Sequence, residues 1–202
     1  MLQKTKLTKD EIRAFAETFA NYSYEKNDEG MVHLFPQYPD TTRVVKYIEA
    51  IIKTANEVDG IYSTSPNNEG IIIVSTTVNP FPTTKVIKML FRLIKALGIT
   101  KFGSTMKYFQ VGGASLEKKY RDRKTPFAQI ELCCVRQEYQ GQGFMRPLIE
   151  TAIEIADADN LPLIVTTDAK VKNDKYAHLG LTPINVREIC PGSYFYDLER
   201  LA

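Results

Sequence analysis

The stretch from Phe127 to Leu181 constrains this chain most, because it runs a strand into a helix through a loop built on glycine. Phe127 to Val135 has the alternating pattern of a β-strand. Arg136 to Gly143 then form the loop. After it, Leu148, Ile149, Ala152, Ile153 and Ala156 recur at helical spacing, with Pro147 in the first turn, where its missing N–H costs little. The first N–H groups of a helix have no intrahelical partner and carry the positive end of its dipole, so this junction predicts a site for a phosphate or diphosphate. Gly141 and Gly143 let such a group approach the backbone.

Two common phosphate motifs fail on residues. A P-loop needs a Gly-Lys pair followed by Ser or Thr, and nothing of that form occurs near Gly141. A dinucleotide fingerprint needs a third glycine where this chain has Arg146. What does fit is the run Val135, Glu138, Tyr139, Gln140, Gly141 and Gly143, which resembles the acetyl-CoA pyrophosphate loop of the GNAT acetyltransferase superfamily. Downstream, Asn173, Tyr176, Leu179, Gly180 and Leu181 resemble that family's closing segment, an Asn ahead of a Tyr-x-x-Leu-Gly-Phe helix end. The two motifs stand in the family's order and at its spacing. The match covers the C-terminal third well, whereas residues 1 to 126 resemble the family only in the order of their expected elements.

The resemblance implies an α/β (α+β) fold of GNAT type: a mixed, mostly antiparallel central sheet splayed at the cofactor cleft, with helices on both faces. It implies acetyl-CoA as cosubstrate, its pyrophosphate on Gln140, Gly141, Gln142, Gly143, Phe144 and Met145. Its pantetheine would meet main-chain groups of Cys133, Cys134 and Val135 and the side chain of Asn173. Where the family usually closes the loop with a small residue this chain has Met145, whose side chain must then point away from the phosphates. Tyr176 matches the family position of a general acid for the departing sulfur.

Acetyl transfer to an amine also needs a base, because an alkyl amine with a pKa of about 10.4 is mostly protonated at pH 7. Strand parity puts Ile130, Leu132 and Cys134 on one face and Gln129, Glu131, Cys133 and Val135 on the other, which makes Glu131 the best-placed carboxylate. Each side chain has a plainer alternative: a structural Glu131, a core Tyr176, an Asn173 that caps its helix, and cysteines that are small buried hydrophobes. His178, two residues from Tyr176, falls on a different helical face and is not expected to be catalytic.

Earlier in the chain, Thr8 and Glu11 have the form of a capping box for a helix carrying Ile12, Phe15, Ala16 and Phe19. An irregular connection spans Tyr22 to Pro39. Val44, Val45, Ile48, Ile51, Ile52 and Ala55 predict a second helix, and Ile61 to Thr64 with Ile71 to Ser75 predict an antiparallel hairpin. A strongly apolar helix over Val86 to Leu97, stopped by Gly98, and a further helical stretch between Ser104 and Arg121, broken at Gly112 and Gly113, make residues 83 to 124 a helical insertion placed over the acceptor side. The charged run Glu117 to Lys124 reads as a solvated helix end. Beyond the central helix, Leu161 to Thr167, 184 to 190 and 193 to 199 are strands.

The chain has 202 residues, 44% of them hydrophobic, enough for one substantial core and hence a single domain over 1–202. A net charge of +2 gives no long-range field, so neither nucleic acid nor membrane is expected as a partner. Three cysteines, two of them adjacent, form no disulfide framework, and no metal site is expected from His33 and His178. No apolar run approaches a membrane span and the N-terminus lacks a signal core, so a cytoplasmic protein is expected. The expected activity is N-acetyl transfer from acetyl-CoA to a primary amine, on a small molecule, a peptide or a protein, directly within a ternary complex. The alternative is a non-catalytic acyl-CoA-binding sensor or module.

Overall fold

The capping box forms as its residue types dictate: the Thr8 N–H donates to Glu11 Oε2 at 2.8 Å and the Glu11 N–H to Thr8 Oγ1 at 3.3 Å. It opens α1 (Lys9–Tyr24), which buries Ile12, Phe15 and Ala16. The computed structural model describes residues 2–24, 41–108, 112–190 and 192–202. The irregular connection expected from Tyr22 starts instead as the last turn of α1, and its remainder, residues 25–40, lies outside the described residues.

The other elements follow in order as β1 (Gln3–Lys4) ahead of α1, then α2 (Thr42–Glu57), β2 (Ile61–Ser63), β3 (Gly70–Thr76), α3 (Thr83–Leu97), α4 (Ile99–Tyr108), α5 (Leu116–Asp122), β4 (Ala128–Val135), α6 (Met145–Ala158), β5 (Leu163–Thr167), α7 (Lys170–His178), β6 (Thr182–Cys190) and β7 (Ser193–Arg200). A short 3-10 turn, Gln137–Tyr139, follows β4. The helical stretch expected from Ser104 begins earlier, directly after Gly98, and breaks at Gly112 and Gly113 as expected. None of the described helices is long and apolar enough to cross a membrane.

The strands make one sheet in the order β1-β2-β3-β4-β5-β7-β6. Among the described residues only β4 and β5 run parallel; every other neighbouring pair is antiparallel. This is the mixed, mostly antiparallel sheet expected, with helices on both faces. One face carries α6 and α7 over Ile72, Val74, Ala128, Ile130, Leu163 and Val165. The other carries α1 and α2 over Ile71, Ile73, Leu132 and Cys134, and α5 over Ile164. β3 is buried on both faces, as its run of three isoleucines predicts, and each of those side chains contributes about 1.5–3 kcal/mol.

β4 departs from simple alternation. Ile73 of β3 pairs with Leu132 while Val74 pairs with Ile130, so Glu131 is the extra residue of a β-bulge. Ile130 therefore shares the α6 face with Cys133 and Val135, whereas Leu132 and Cys134 turn to the α1 face. The expected grouping of Ile130 with Leu132 and Cys134 is wrong for this reason. A bulge shifts the period by one residue, and every side chain beyond it changes face.

Candidate active site

β4 and β5 pair only at Ala128 with Leu163 and at Gln129 with Ile164. Both strands continue, β4 to Val135 and β5 to Thr167, without pairing to each other. The sheet is split at the only parallel junction among the described residues, and a cavity of about 630 Å³ fills the split. Its walls are residues 130–135 of β4 and 165–168 at the end of β5. The glycine loop closes one side, α7 a second, and Thr18 and Phe19 of α1 reach it from the opposite face of the sheet.

The loop holds its shape by its own side chains. Gln140 Nε2 donates to the Val135 carbonyl at 3.1 Å, Gln142 Nε2 donates to the Glu138 carbonyl at 2.9 Å, and Tyr139 meets Phe144 edge to face at 5.8 Å. Gly141 and Gly143 adopt φ of +77° and +86°, a region that side chains disfavour, and a Cβ on either would point into open space. The backbone N–H groups of Gly141, Gln142, Gly143, Phe144 and Met145 donate to no backbone or side-chain acceptor among the described residues. Five free donors at the start of α6 fit a diphosphate. Met145 is partly buried against the core of the α6 face and also lines the cavity.

Cys133, Cys134 and Val135 form the β4 wall, where β4 has no strand partner toward β5. Burial pushes both thiols up, Cys134 to about 12, so neither is a thiolate nucleophile near neutral pH. The Cys134 thiol donates to the Phe15 carbonyl at 3.8 Å. These are the small buried side chains of the plainer reading, with the main chain left to meet a ligand.

Tyr176 combines both readings offered for it. Its ring belongs to the core of the α6 face, yet it lines the cavity, and its hydroxyl has no hydrogen-bond partner among the described residues. Burial, then the neighbouring Cys133 and Asp168, hold its pKa well above the ordinary tyrosine value. Such a hydroxyl stays protonated at working pH.

Glu131 also lines the cavity, placed there by the bulge. Its carboxylate accepts from Ser75 Oγ at 2.5 Å and from Gln129 Nε2 at 3.4 Å. Glu131 is exposed, yet protein atoms crowded around its carboxyl partly desolvate it, which raises its pKa against the lowering effect of the Ser75 bond.

Asn173 is not a helix cap: Ala169 holds that position, and the Asn173 N–H donates to the Ala169 carbonyl inside the first turn of α7. Its side chain is buried, Nδ2 donates to Asp174 Oδ1 at 3.1 Å, and Oδ1 has no partner. Asn173 lies behind the cavity wall and does not line it.

The structure adds residues that no motif marked. Asp168 and Lys172 form an ion pair at 2.6 Å in the wall, and Lys172 Nζ sits 5.5 Å from the Phe19 ring of α1. His178, set on another helical face than Tyr176, lies in the wall as well. Beneath it, Thr166 and Phe195 rest on a buried cluster. Asp197 accepts from Arg187 Nε at 2.9 Å, from Thr166 Oγ1 at 2.7 Å and from Asn185 Nδ2 at 3.3 Å. No group of three or more His, Cys, Asp or Glu that could hold a metal occurs among the described residues.

A sheet split at its parallel pair, with free N–H groups at one side of the split, defines a class. Residues 108–179 match the sequence profile of the Acetyltransferase (GNAT) family. A search of curated proteins gives no match. Among solved structures, an agmatine N-acetyltransferase mutant is similar at a TM-score of 0.60 with 11% identity, over 100% of this chain and 99% of that one. A Drosophila melanogaster polyamine N-acetyltransferase aligns at 0.54 with 10% identity over 100% and 99%. The NatC complex bound to a Gag peptide and CoA aligns at 0.51 with 11% identity over 100% and 98%. At such identities these likenesses are of fold. The resemblance to the GNAT superfamily is borne out, by sequence over 108–179 and by fold over the described residues.

Proposed function

We propose that this protein is an N-acetyltransferase that moves an acetyl group from acetyl-CoA to a primary amine within a ternary complex. The observation that carries the proposal is the β4–β5 split, bordered by five free backbone donors and lined by a protonated tyrosine and an accessible carboxylate. Gln140 to Met145 hold the pyrophosphate by their main chain. The unpaired edge of β4 at Cys133 to Val135 hydrogen-bonds the pantetheine and polarises the thioester carbonyl. Asn173, whose buried Oδ1 has no partner among the described residues, supports that arm.

Acetyl-CoA supplies an activated acyl group, and the residues handle the protons. As the amine nitrogen bonds the carbonyl carbon and the C–S bond breaks, Glu131 takes the amine proton, directly or through water, and Tyr176 gives one to the departing sulfur. The buried, protonated thiols of Cys133 and Cys134 support direct transfer over an acyl-cysteine route. Residues 1–202 act as one domain, with 83–124 as its helical insertion. The acceptor is an amine of a small molecule or a peptide, classes that the related folds act on.

The test is thermal unfolding at several acetyl-CoA concentrations, followed by thiol release with an amine panel. Ligand at 100 times its dissociation constant stabilises a fold by about 2.7 kcal/mol. No shift at saturating acetyl-CoA refutes the cofactor site. A shift without turnover on any amine, and with a partner protein retained in pull-downs, points to the acyl-CoA sensor instead.

A further inference from the structure

α3 is turned the wrong way for a core helix. It has a broad apolar face, yet only Leu93 and Leu97 are buried. Toward α2 it presents its cations instead: Lys85 at 3.2 Å, Lys88 at 3.1 Å and Arg92 all bind the Glu57 carboxylate. Toward solvent it presents Ile87 and Phe91, one turn apart, with Leu90 beside them and Lys95 along the other edge. Phe91 is 68% exposed and Ile87 49%, and Ile99 at the start of α4 continues the patch at 76%. α3 packs mainly on α2, and on α4.

The stretch that carries this crest is basic, although Glu57 of α2 offsets part of that charge. Between Thr76 and Leu116 the chain holds no Asp or Glu and six basic residues, Lys85, Lys88, Arg92, Lys95, Lys101 and Lys107. Charges act over a screening length of about 8–10 Å, so a surface touching α3 meets this local excess and not the whole chain's +2. Symmetric pairing with a second copy would set cations against cations. A partner helix would need a groove, and a single outer helix offers a convex ridge. A ridge of Phe and Ile edged with Lys suits the boundary of an anionic bilayer, where the apolar crest enters the acyl region and the ammonium groups stay at the headgroups.

We propose that the α3 crest, with Ile99, docks the protein on an anionic membrane surface, lying on the bilayer without spanning it. This reading is independent of acetyl transfer. The full chain is sedimented with vesicles of phosphatidylcholine alone and of phosphatidylcholine mixed with phosphatidylglycerol. The expected result is pelleting about tenfold or more stronger with the anionic vesicles, weakened by salt and by Lys95→Glu. Ile87→Asp and Phe91→Asp abolish it, with melting temperature and acetyl-CoA response unchanged because both side chains are exposed. Absence of pelleting with anionic vesicles, or equal pelleting with both kinds, overturns the proposal. So does a dimer that ignores vesicles and dissociates in Phe91→Asp, or a protein partner captured through this face by a chain that binds no vesicle.

Discussion

The cleft and the α2–α3 layer leave opposite things undone. At the cleft, apolar side chains are packed and main-chain groups are left over: β4 lacks a partner toward β5, and five loop N–H groups lack acceptors. At α3 the polar groups are paired, on Glu57, and apolar side chains are left over. Unmade hydrogen bonds select a polar ligand with defined geometry, and unburied carbon selects a surface without one. The contrast extends to the two clusters of charge. Asp197 and Arg187 are almost wholly buried, whereas Glu57 and its three cations keep water on their outer side.

The buried cluster gives the largest expected effect. Asp197→Ala removes the carboxylate that holds the buried Arg187 guanidinium and costs about 3–5 kcal/mol in denaturant unfolding. It also loosens Thr166 in the cavity wall. A cost below about 1 kcal/mol would show that water reaches the pair and would erase the contrast with Glu57.

Tyr176→Phe comes next, lowering kcat about 100-fold with the KM for acetyl-CoA little changed, measured by thiol release where chemistry limits. The ring stays packed in the core, so stability is the control. An unchanged rate removes the acid role and leaves only the core one.

Glu131→Gln is read through pH. Because desolvation raises this carboxyl, the deprotonated base is lost as pH falls through a value above that of an ordinary Glu, and kcat/KM drops with it. The variant is slower by about tenfold to 100-fold and loses that acid limb. If the limb persists in the variant, another group is the base.

The smallest effect is at Glu57, whose pKa is lowered to about 2, chiefly by Arg92 and then by Lys88 and Lys85. A depressed carboxyl stabilises the fold above its unfolded value near 4.5, and that contribution fades as pH falls toward 2. Glu57→Gln flattens that part of the acid stability curve and changes stability at pH 7 by under about 1 kcal/mol. A larger loss would mean that α3 is held by its charges more tightly than their exposure implies.

Sequence reading found what is written locally. The Thr8 and Glu11 box, the isoleucine strand at 71–73, the strand, loop and helix around Gly141 and Gly143, and Tyr176 of the cavity wall all depend on spacings of a few residues, where steric and hydrogen-bond rules act directly. Misreadings arose where neighbours in space decide. The parity of β4 failed because the bulge at Glu131 is a property of pairing with β3. His178 lines the cavity although its spacing from Tyr176 sets it on another helical face, because a cavity wall also receives residues from the end of a helix.

By itself, then, the chain's order of residues determined the capped helices, the buried strands and the glycine junction between strand and helix, since each follows from backbone geometry within one or two elements. Only the tertiary structure decided that β4 and β5 part after two residue pairs, that Phe19, Asp168 and Lys172 meet across the split, and that α3 turns its lysines inward and Phe91 outward. Those outcomes depend on contacts between residues far apart in the chain, where the competing free energies are sums over many partners and no local spacing records the result.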